Sequence, residues 1–306
     1  MATTNSVTLG ELIDETFEHL YRVTGRPLDA TLASAISPTS TTFTLSTADD
    51  SIQVTDVLEN GQELLLVTAK SDDTTPVFTV VRGYAGTTAV SATIGDQLVV
   101  NPPHSRRDIA KRIRRAFQTL MNRHLPTITN ALLTRETGLQ FIELPANTVK
   151  VFSARHVISG TGRIVDVGGW QFEQDLPTTD FTTGKVLRIS ASVTDTDEII
   201  VVYQTPYLWS TEPPAEDSTI DIPLGTEDIP ALWAAAYTAT RREIQRSEVD
   251  QIEEWNQDQA IRQGVNLRLA RDLWGEVYRR VDEARDLQYI PAHRPYRRMT
   301  HTFRST

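Results

Sequence analysis

The residue types that most often carry chemistry are scattered along this chain of 306 residues. Six histidines, His19, His104, His124, His156, His293 and His301, stand far apart. No two of them fall at the spacing that puts two metal ligands on one helix face. There is no cysteine, so neither a disulfide framework nor a thiolate metal site can form. The patterns GxxxxGK[ST], HExxH and GxSxG, which would supply a phosphate cradle, a zinc pair or an activated serine, do not occur. Asp195, Asp197 and Glu198 cluster ahead of an apolar run and could supply a carboxylate pair for glycoside hydrolysis, but a solvated turn explains them with less. Trp170 and Trp209 could stack a sugar or fill a core. Arg82-Gly83-Tyr84-Ala85-Gly86-Thr87-Thr88 has the glycine content of a nucleotide loop. No helix follows it to supply an anion-binding N-terminus, so it reads as a glycine-rich turn leaving a strand. The expectation is a protein that is not an enzyme and uses no cofactor and no metal.

The balance of residues narrows the class. Hydrophobic residues make up 39% and charged residues 23%, enough to bury a core, and the length allows roughly two domains. Lys and Arg number 30 against 40 Asp and Glu, a net charge of −10 that argues against a dedicated nucleic-acid binder. No apolar run approaches the ~20 residues that span a bilayer, and MATTNSVTLG lacks the basic and apolar regions of a secretory signal. A soluble protein assembled inside the cell, with no membrane partner, is expected.

Charge is distributed in blocks. Residues 29–103 hold nine acids against Lys70 and Arg82. Residues 104–125 reverse the sign, with Arg106, Arg107, Lys111, Arg112, Arg114, Arg115 and Arg123 against Asp108. From Ile189 to Pro230 there are nine acids and no Lys or Arg, and 287–306 has four Arg and no acid. Alternating blocks suit a chain whose segments face different neighbours. The basic stretch reads as a contact to a partner protein, with a solvated face or DNA as the alternatives. In the last block Tyr289, Ile290, Pro291, Arg294, Tyr296, Arg297, Arg298 and Phe303 mix aromatic, proline and guanidinium groups, as interface hot spots do. A disordered solubilising terminus is the alternative there.

The elements that must position these residues follow from periodicity. Thr8 and Glu11 form a capping box before Leu9, Leu12, Ile13, Phe17, Leu20 and Tyr21, and Gly25 and Pro27 end that helix. Short alternating runs at Thr42–Ser46, Glu63–Thr68, Val77–Arg82 and Gln97–Val100 predict a small β module. Ser105 and Asp108 cap a second helix with Ile109, Ile113, Ala116, Phe117, Leu120 and Met121 inward, ended by Pro126. Seven strands are predicted over 139–207, at Leu139–Leu144, Val149–Phe152, His156–Ser159, Arg163–Val167, Trp170–Glu173, Val186–Ser190 and Glu198–Tyr203, suggesting a β-sandwich. An acidic, proline-bearing connection covers 210–223. Pro230 opens a helix, Ser247 and Asp250 restart the pattern, and one long helix carries it past Gly264 to Leu287. The expected class is α+β: a helical-bundle core with two inserted antiparallel β modules and an extended C-terminal tail. Its segments are a first helix (1–28), a small β module (29–103), a second helix (104–135), a sandwich-like module (136–225), C-terminal helices (226–287) and the tail (288–306).

The run from Val80-Val81-Arg82-Gly83-Tyr84-Ala85-Gly86-Thr87-Thr88 to Gly95-Asp96-Gln97-Leu98-Val99-Val100 resembles a β module common in tailed-bacteriophage structural proteins. The order of the second half is similar to head-to-tail connector (adaptor or neck) proteins of siphophages. It runs through Arg163–Val167, Gly169-Trp170, a strand ending in Gln204-Thr205-Pro206, the Ala-rich helix after Pro230 and a Tyr-Ile-Pro tail. The resemblance implies a structural virion protein at the head–tail junction. Such a protein is a homo-oligomeric ring, typically dodecameric, that binds the portal protein and offers a surface to a stopper or tail-completion protein. Genomic DNA would pass through its channel without specific binding. Arg106, Arg107, Lys111, Arg112, Arg114 and Arg115 would face the next subunit, and Tyr289 to Phe303 would dock into the portal. Arg82, Gly83, Gly86 and Thr87 carry the β-module motif. A stopper-type neck protein and a carbohydrate-binding tail or baseplate component are the alternatives.

Overall fold

The computed structural model describes residues 4–24, 29–46, 51–71, 73, 75–134, 139–158, 162–189, 198–211, 214–250 and 265–288. In chain order, β1 (Thr4–Thr8) and α1 (Leu9–Thr24) precede a six-strand run. That run is β2 (Asp29–Thr31), β3 (Thr42–Thr44), β4 (Val57–Asn60), β5 (Glu63–Lys70), β6 (Val77–Val81) and β7 (Gln97–Val100). Then α2 (Arg106–Ala116) passes through a π turn at Phe117–Met121 into α3 (Asn122–His124). Next come β8 (Thr127–Thr134), β9 (Phe141–Glu143), β10 (Lys150–Val157), β11 (Ile164–Asp166), β12 (Trp170–Glu173), β13 (Val186–Ile189) and β14 (Glu198–Thr205). The series ends with β15 (Thr219–Pro223), α4 (Ile229–Asp250) and α5 (Val265–Gln288).

The capping box forms as its spacing requires. The Thr8 N–H donates to Glu11 Oε2 at 2.8 Å, and the Glu11 N–H donates to Thr8 Oγ1 at 3.2 Å. Leu9, Leu12 and Ile13 of α1 are buried with Ile109 and Ile113 of α2, Ala231 to Ala236 of α4 and Val277 and Val281 of α5. The alanine run lets the helices approach α4 closely, and Trp233 meets Trp274 edge-on at 6.1 Å to fix α4 against α5.

A helical-bundle core with inserted modules is not, however, what the chain builds. Strand makes up 35% of the structure and helix 30%, and the six-strand sheet is a curled half-barrel. The helices' apolar faces are closed in part by a β-ribbon that amphipathic spacing could not reveal: β1 pairs antiparallel with β15, putting Val7, Ile220 and Ile222 into the helical core. The acidic connection expected over 210–223 is thus partly a strand. The expected restart at Ser247 is not a boundary either, since α4 runs through it to Asp250 and α5 begins at Val265. The C-terminal tail lies outside the described residues.

Residues 127–205 form two facing sheets, β11-β10-β14-β8 and β12-β13-β9. Val151, Ala154, Ile199, Val201 and Tyr203 on one meet Ile142, Leu187 and Ile189 on the other in a shared core. The strands expected at Val149–Phe152 and His156–Ser159 are one strand, β10, with a register shift at Phe152 that resets its alternation. β8 follows Pro126 directly and was not expected.

The half-barrel has the order β2-β7-β4-β5-β6-β3 and curls until Leu32 bridges Leu45 beyond its two edge strands. Leu58, Leu65, Phe78 and Leu98 fill it with essentially no exposure. Its turn after β6 contains the Arg82–Thr88 segment. Arg82 (side chain 7% exposed) grips Glu63 (0%) with a two-pronged fork, Nε to Oε1 and Nη2 to Oε2, each 2.7 Å. Arg82 also donates to the carbonyls of Ser37, Ser40 and Val90, while Glu63 accepts from the N–H groups of Gly83 (3.1 Å) and Val90 (2.9 Å). Burial penalises the Glu63 charge, but these donors outweigh it and hold the carboxyl below its ordinary range. Gly83 sits at φ 62°, and a Cβ there would lie 2.7 Å from the Thr87 carbonyl oxygen. Thr87 Oγ1 accepts from the Leu64 N–H at 3.0 Å and donates to the Tyr84 carbonyl at 2.9 Å. Breaking a buried pair leaves an uncompensated charge, so Arg82→Met is expected to cost ~3–5 kcal/mol of half-barrel stability. Denaturant unfolding checks this; a loss under ~1 kcal/mol would show the fork is dispensable.

Candidate functional site

The site is best built from α2, whose first residue joins three parts of the chain. Ser105 caps the helix, its Oγ accepting from the Asp108 N–H at 3.1 Å. The next free donor, the Arg106 N–H, is taken by Glu59 Oε1 of β4 at 2.5 Å. The Arg106 guanidinium then reaches the other way, forking onto Glu216 (Nε to Oε1 2.9 Å, Nη2 to Oε2 2.7 Å) and bonding Asp14 of α1 through Nη1 at 2.6 Å. Its carbon lies 5.9 Å over the Phe17 ring, which stacks on Tyr21 at 5.3 Å. Glu216 is held in turn by its backbone, because the N–H groups of Gly10 and Leu9 at the start of α1 donate to the carbonyls of Glu216 (2.8 Å) and Ser218 (3.0 Å).

Around this hub opens a cleft of about 870 Å³ between the half-barrel and α1. Five carboxylates line it (Asp14, Glu18, Asp29, Glu59 and Glu216) together with Phe17, Tyr21 and Arg106. Glu59 is 2% exposed, and burial pushes its carboxyl up to about 8. The Arg106 N–H and guanidinium pull the other way, while Glu216 and Asp108 add to the rise. With Arg106 already matched by two carboxylates, the cleft is electronegative and suits a cationic guest.

The basic residues expected to face a neighbouring subunit are divided by the structure. Arg106 is spent on Glu216 and Asp14 of its own chain. The basic helix and both acidic blocks therefore meet within one subunit at this residue. Arg112 donates to Thr238 Oγ1 of α4, and burial lowers its affinity for the proton. Arg115 bonds Tyr237 Oη at 3.2 Å and stacks on that ring at 5.4 Å. Arg107 donates to the Ala85 carbonyl at 2.9 Å, and Lys111 makes one long contact with Asp108, 3.7 Å. Arg107, Lys111 and Arg114 fall at i, i+4 and i+7 and line a groove of about 590 Å³ facing Gly86, Val90 and Pro214.

The β-module residues Arg82, Gly83, Gly86 and Thr87 form the staple of the half-barrel, with Gly86 at φ 74° closing its turn. Trp209 packs edge-on to Phe117 at 5.5 Å in the helical core, and Trp170 packs against the sandwich core. Asp195 and Asp197 lie outside the described residues, as do Tyr289, Ile290, Pro291, Arg294, Tyr296, Arg297, Arg298 and Phe303. Among the described residues no group of three His, Asp or Glu is placed to hold a metal ion, and no helix is long and apolar enough to cross a membrane. Sequence reasoning missed Glu59 and Glu216. Each is one acid among many, and only the strand that carries it or the turn that grips α1 singles it out.

Glu59 makes the junction sensitive to pH. Its pKa is raised in the folded chain, so between its ordinary value and about 8 the folded state holds a proton that the unfolded state has released. Its contribution to stability is therefore greatest at low pH and falls as pH rises through that window. Glu59→Gln keeps the acceptor for the Arg106 N–H and removes the charge. It is expected to raise the melting temperature above pH 8, leave it nearly unchanged near pH 4.5, and flatten the slope between. Parallel pH profiles for the two proteins would contradict this. No protein-family model matches the chain, and no curated protein matches it.

Proposed function

We propose that the chain is a structural, non-enzymatic virion protein: a head-to-tail adaptor whose copies ring the channel under the portal of a tailed bacteriophage and join capsid to tail. The observation that supports this most is how the Arg82–Thr88 segment is used. The residues that give the chain its resemblance to phage β modules are committed to a buried fork and a tight turn, as suits a part that must stay rigid under load. The two tryptophans that could have made a sugar platform are engaged in packing, which weighs against the glycan-binding alternative. The basic C-terminal segment, rich in Arg, Tyr and Pro, supplies the portal contact. The ring contact is placed at Arg107, Lys111 and Arg114, which line one groove together.

The ring is a heterologous assembly, so its two faces must differ, and a cationic stripe is one of them. Lys111→Glu with Arg114→Glu is expected to reduce ring formation, measured by light scattering after size exclusion. Unchanged assembly would remove the stripe from the interface. Antibody labelling of particles from the source culture tests the larger reading by electron microscopy. Label at the head–tail junction is the expected result, with cross-links from the C-terminal segment to the portal separating adaptor from stopper. Label at the tail tip, or none on particles, would overturn it.

A further inference from the structure

The electronegative cleft and the basic terminus of the same chain are complementary in charge and chemistry. The described helix α5 ends at Gln288, and the 18 residues after it, 289–306, contain four arginines, two histidines and no acid. Beside the Arg106 hub the cleft offers the carboxylates of Glu18 and Asp29 and the stacked rings of Phe17 and Tyr21. Among the described residues, none donates a hydrogen bond or forms an ion pair to the side-chain carboxylates of Glu18 and Asp29.

A band of negative charge joins the two places. Arg280 of α5 bonds Asp228 (Nη2 to Oδ1 2.7 Å) and the Gly225 carbonyl (3.1 Å), so the C-terminal half of α5 lies against the loop before α4. Asp228 in turn lies close to Glu15 of α1. Burial raises the Glu15 carboxyl above its usual range, and Asp228, Glu18 and Glu227 raise it further. Glu18, one turn along α1, lines the cleft. From Arg280 to Gln288 the helix advances only ~12 Å. Eighteen residues beyond it can reach up to ~60 Å when extended.

We infer that residues 289–306 dock in the cleft between α1 and the half-barrel of their own chain, their guanidinium groups against Glu18 and Asp29 and their rings and prolines against Phe17 and Tyr21. Arginine is suited to both halves of this contact, since it forks onto carboxylates and stacks on aromatic faces. Tethering raises the local concentration of the segment to the millimolar range, so weak individual contacts suffice. The docking describes the chain before it meets a portal, which would then have to draw the segment out of the cleft, and its failure would leave the neck reading as it stands.

The chain has no cysteine, so a designed pair reports cleanly. Gln97→Cys, exposed at the cleft, with Thr300→Cys in the full-length chain is compared with Leu132→Cys with Thr300→Cys, Leu132 being exposed on β8 of the sandwich. Matched thermal melts of the reduced proteins establish that both fold. The expected result is an intrachain disulfide in the first variant about tenfold faster than in the second at low salt, falling to the control rate at about 1 M NaCl. Equal rates at low salt would overturn the docking. A covalent dimer as the main product would overturn its assignment to the same chain.

Discussion

One arginine can satisfy carboxylates on opposite sides, Glu59 through its backbone N–H and Asp14 and Glu216 through its guanidinium, only if those carboxylates belong to elements that are themselves fixed, and Arg106 is placed where that condition is met. Glu59 comes from a strand inside a closed core, Asp14 from a capped helix, and Glu216 from a turn whose carbonyl caps that same helix. Each partner is rigid for its own reason, so the hub converts three independent pieces of local order into one orientation of half-barrel against helices. Such an arrangement gains little net energy from the charges, because desolvation consumes much of the attraction. What it contributes is geometry, since any other angle between the half-barrel and α1 leaves a buried carboxylate without its donor.

The same logic operates inside the half-barrel. Glu63 opens β5 and Arg82 directly follows the neighbouring β6, yet their remaining hydrogen-bonding groups serve the loops at Ser37, Ser40 and Val90 rather than the strands. The strands carry apolar burial, and the ion pair ties down the connections where no ladder exists. The same division sets this glycine-rich segment apart from a phosphate loop: the N–H groups of Gly83 and of nearby Val90 already point at the Glu63 carboxylate.

What could be read from the residues was whatever depends on neighbours in sequence. The Thr8–Glu11 box, the Ser105 cap and the strands at Glu63–Lys70 and Val77–Val81 are local patterns, and each forms near its expected place. The failures share a cause. β1 and β15 are short, weakly patterned segments separated by more than 200 residues, and each becomes a strand only because the other is there. The three-residue β2 and the four-residue β4 owe their state to neighbours in the sheet. Without that ribbon and those pairings in view, the helices appeared to need one another as their only cover, and a bundle core followed. The charge blocks misled in a related way: opposite signs far apart in sequence suggested two subunits, whereas at Arg106 and Glu216 the fold brings them together in one.

The dependence of α1 on the turn at Glu216 and Ser218 has a consequence during synthesis on the ribosome. The half-barrel is complete once residue 100 has emerged, and the sandwich once residue 205 has, because neither draws strands from elsewhere. The first helix, made before both, has its leading N–H groups and its covering strand supplied by residues made more than 190 positions later. The order of emergence is therefore the reverse of the order of completion: the two β units can form as finished bodies while the N-terminal segment waits, and the final event is the arrival of the last strand, α4 and α5 to close over it.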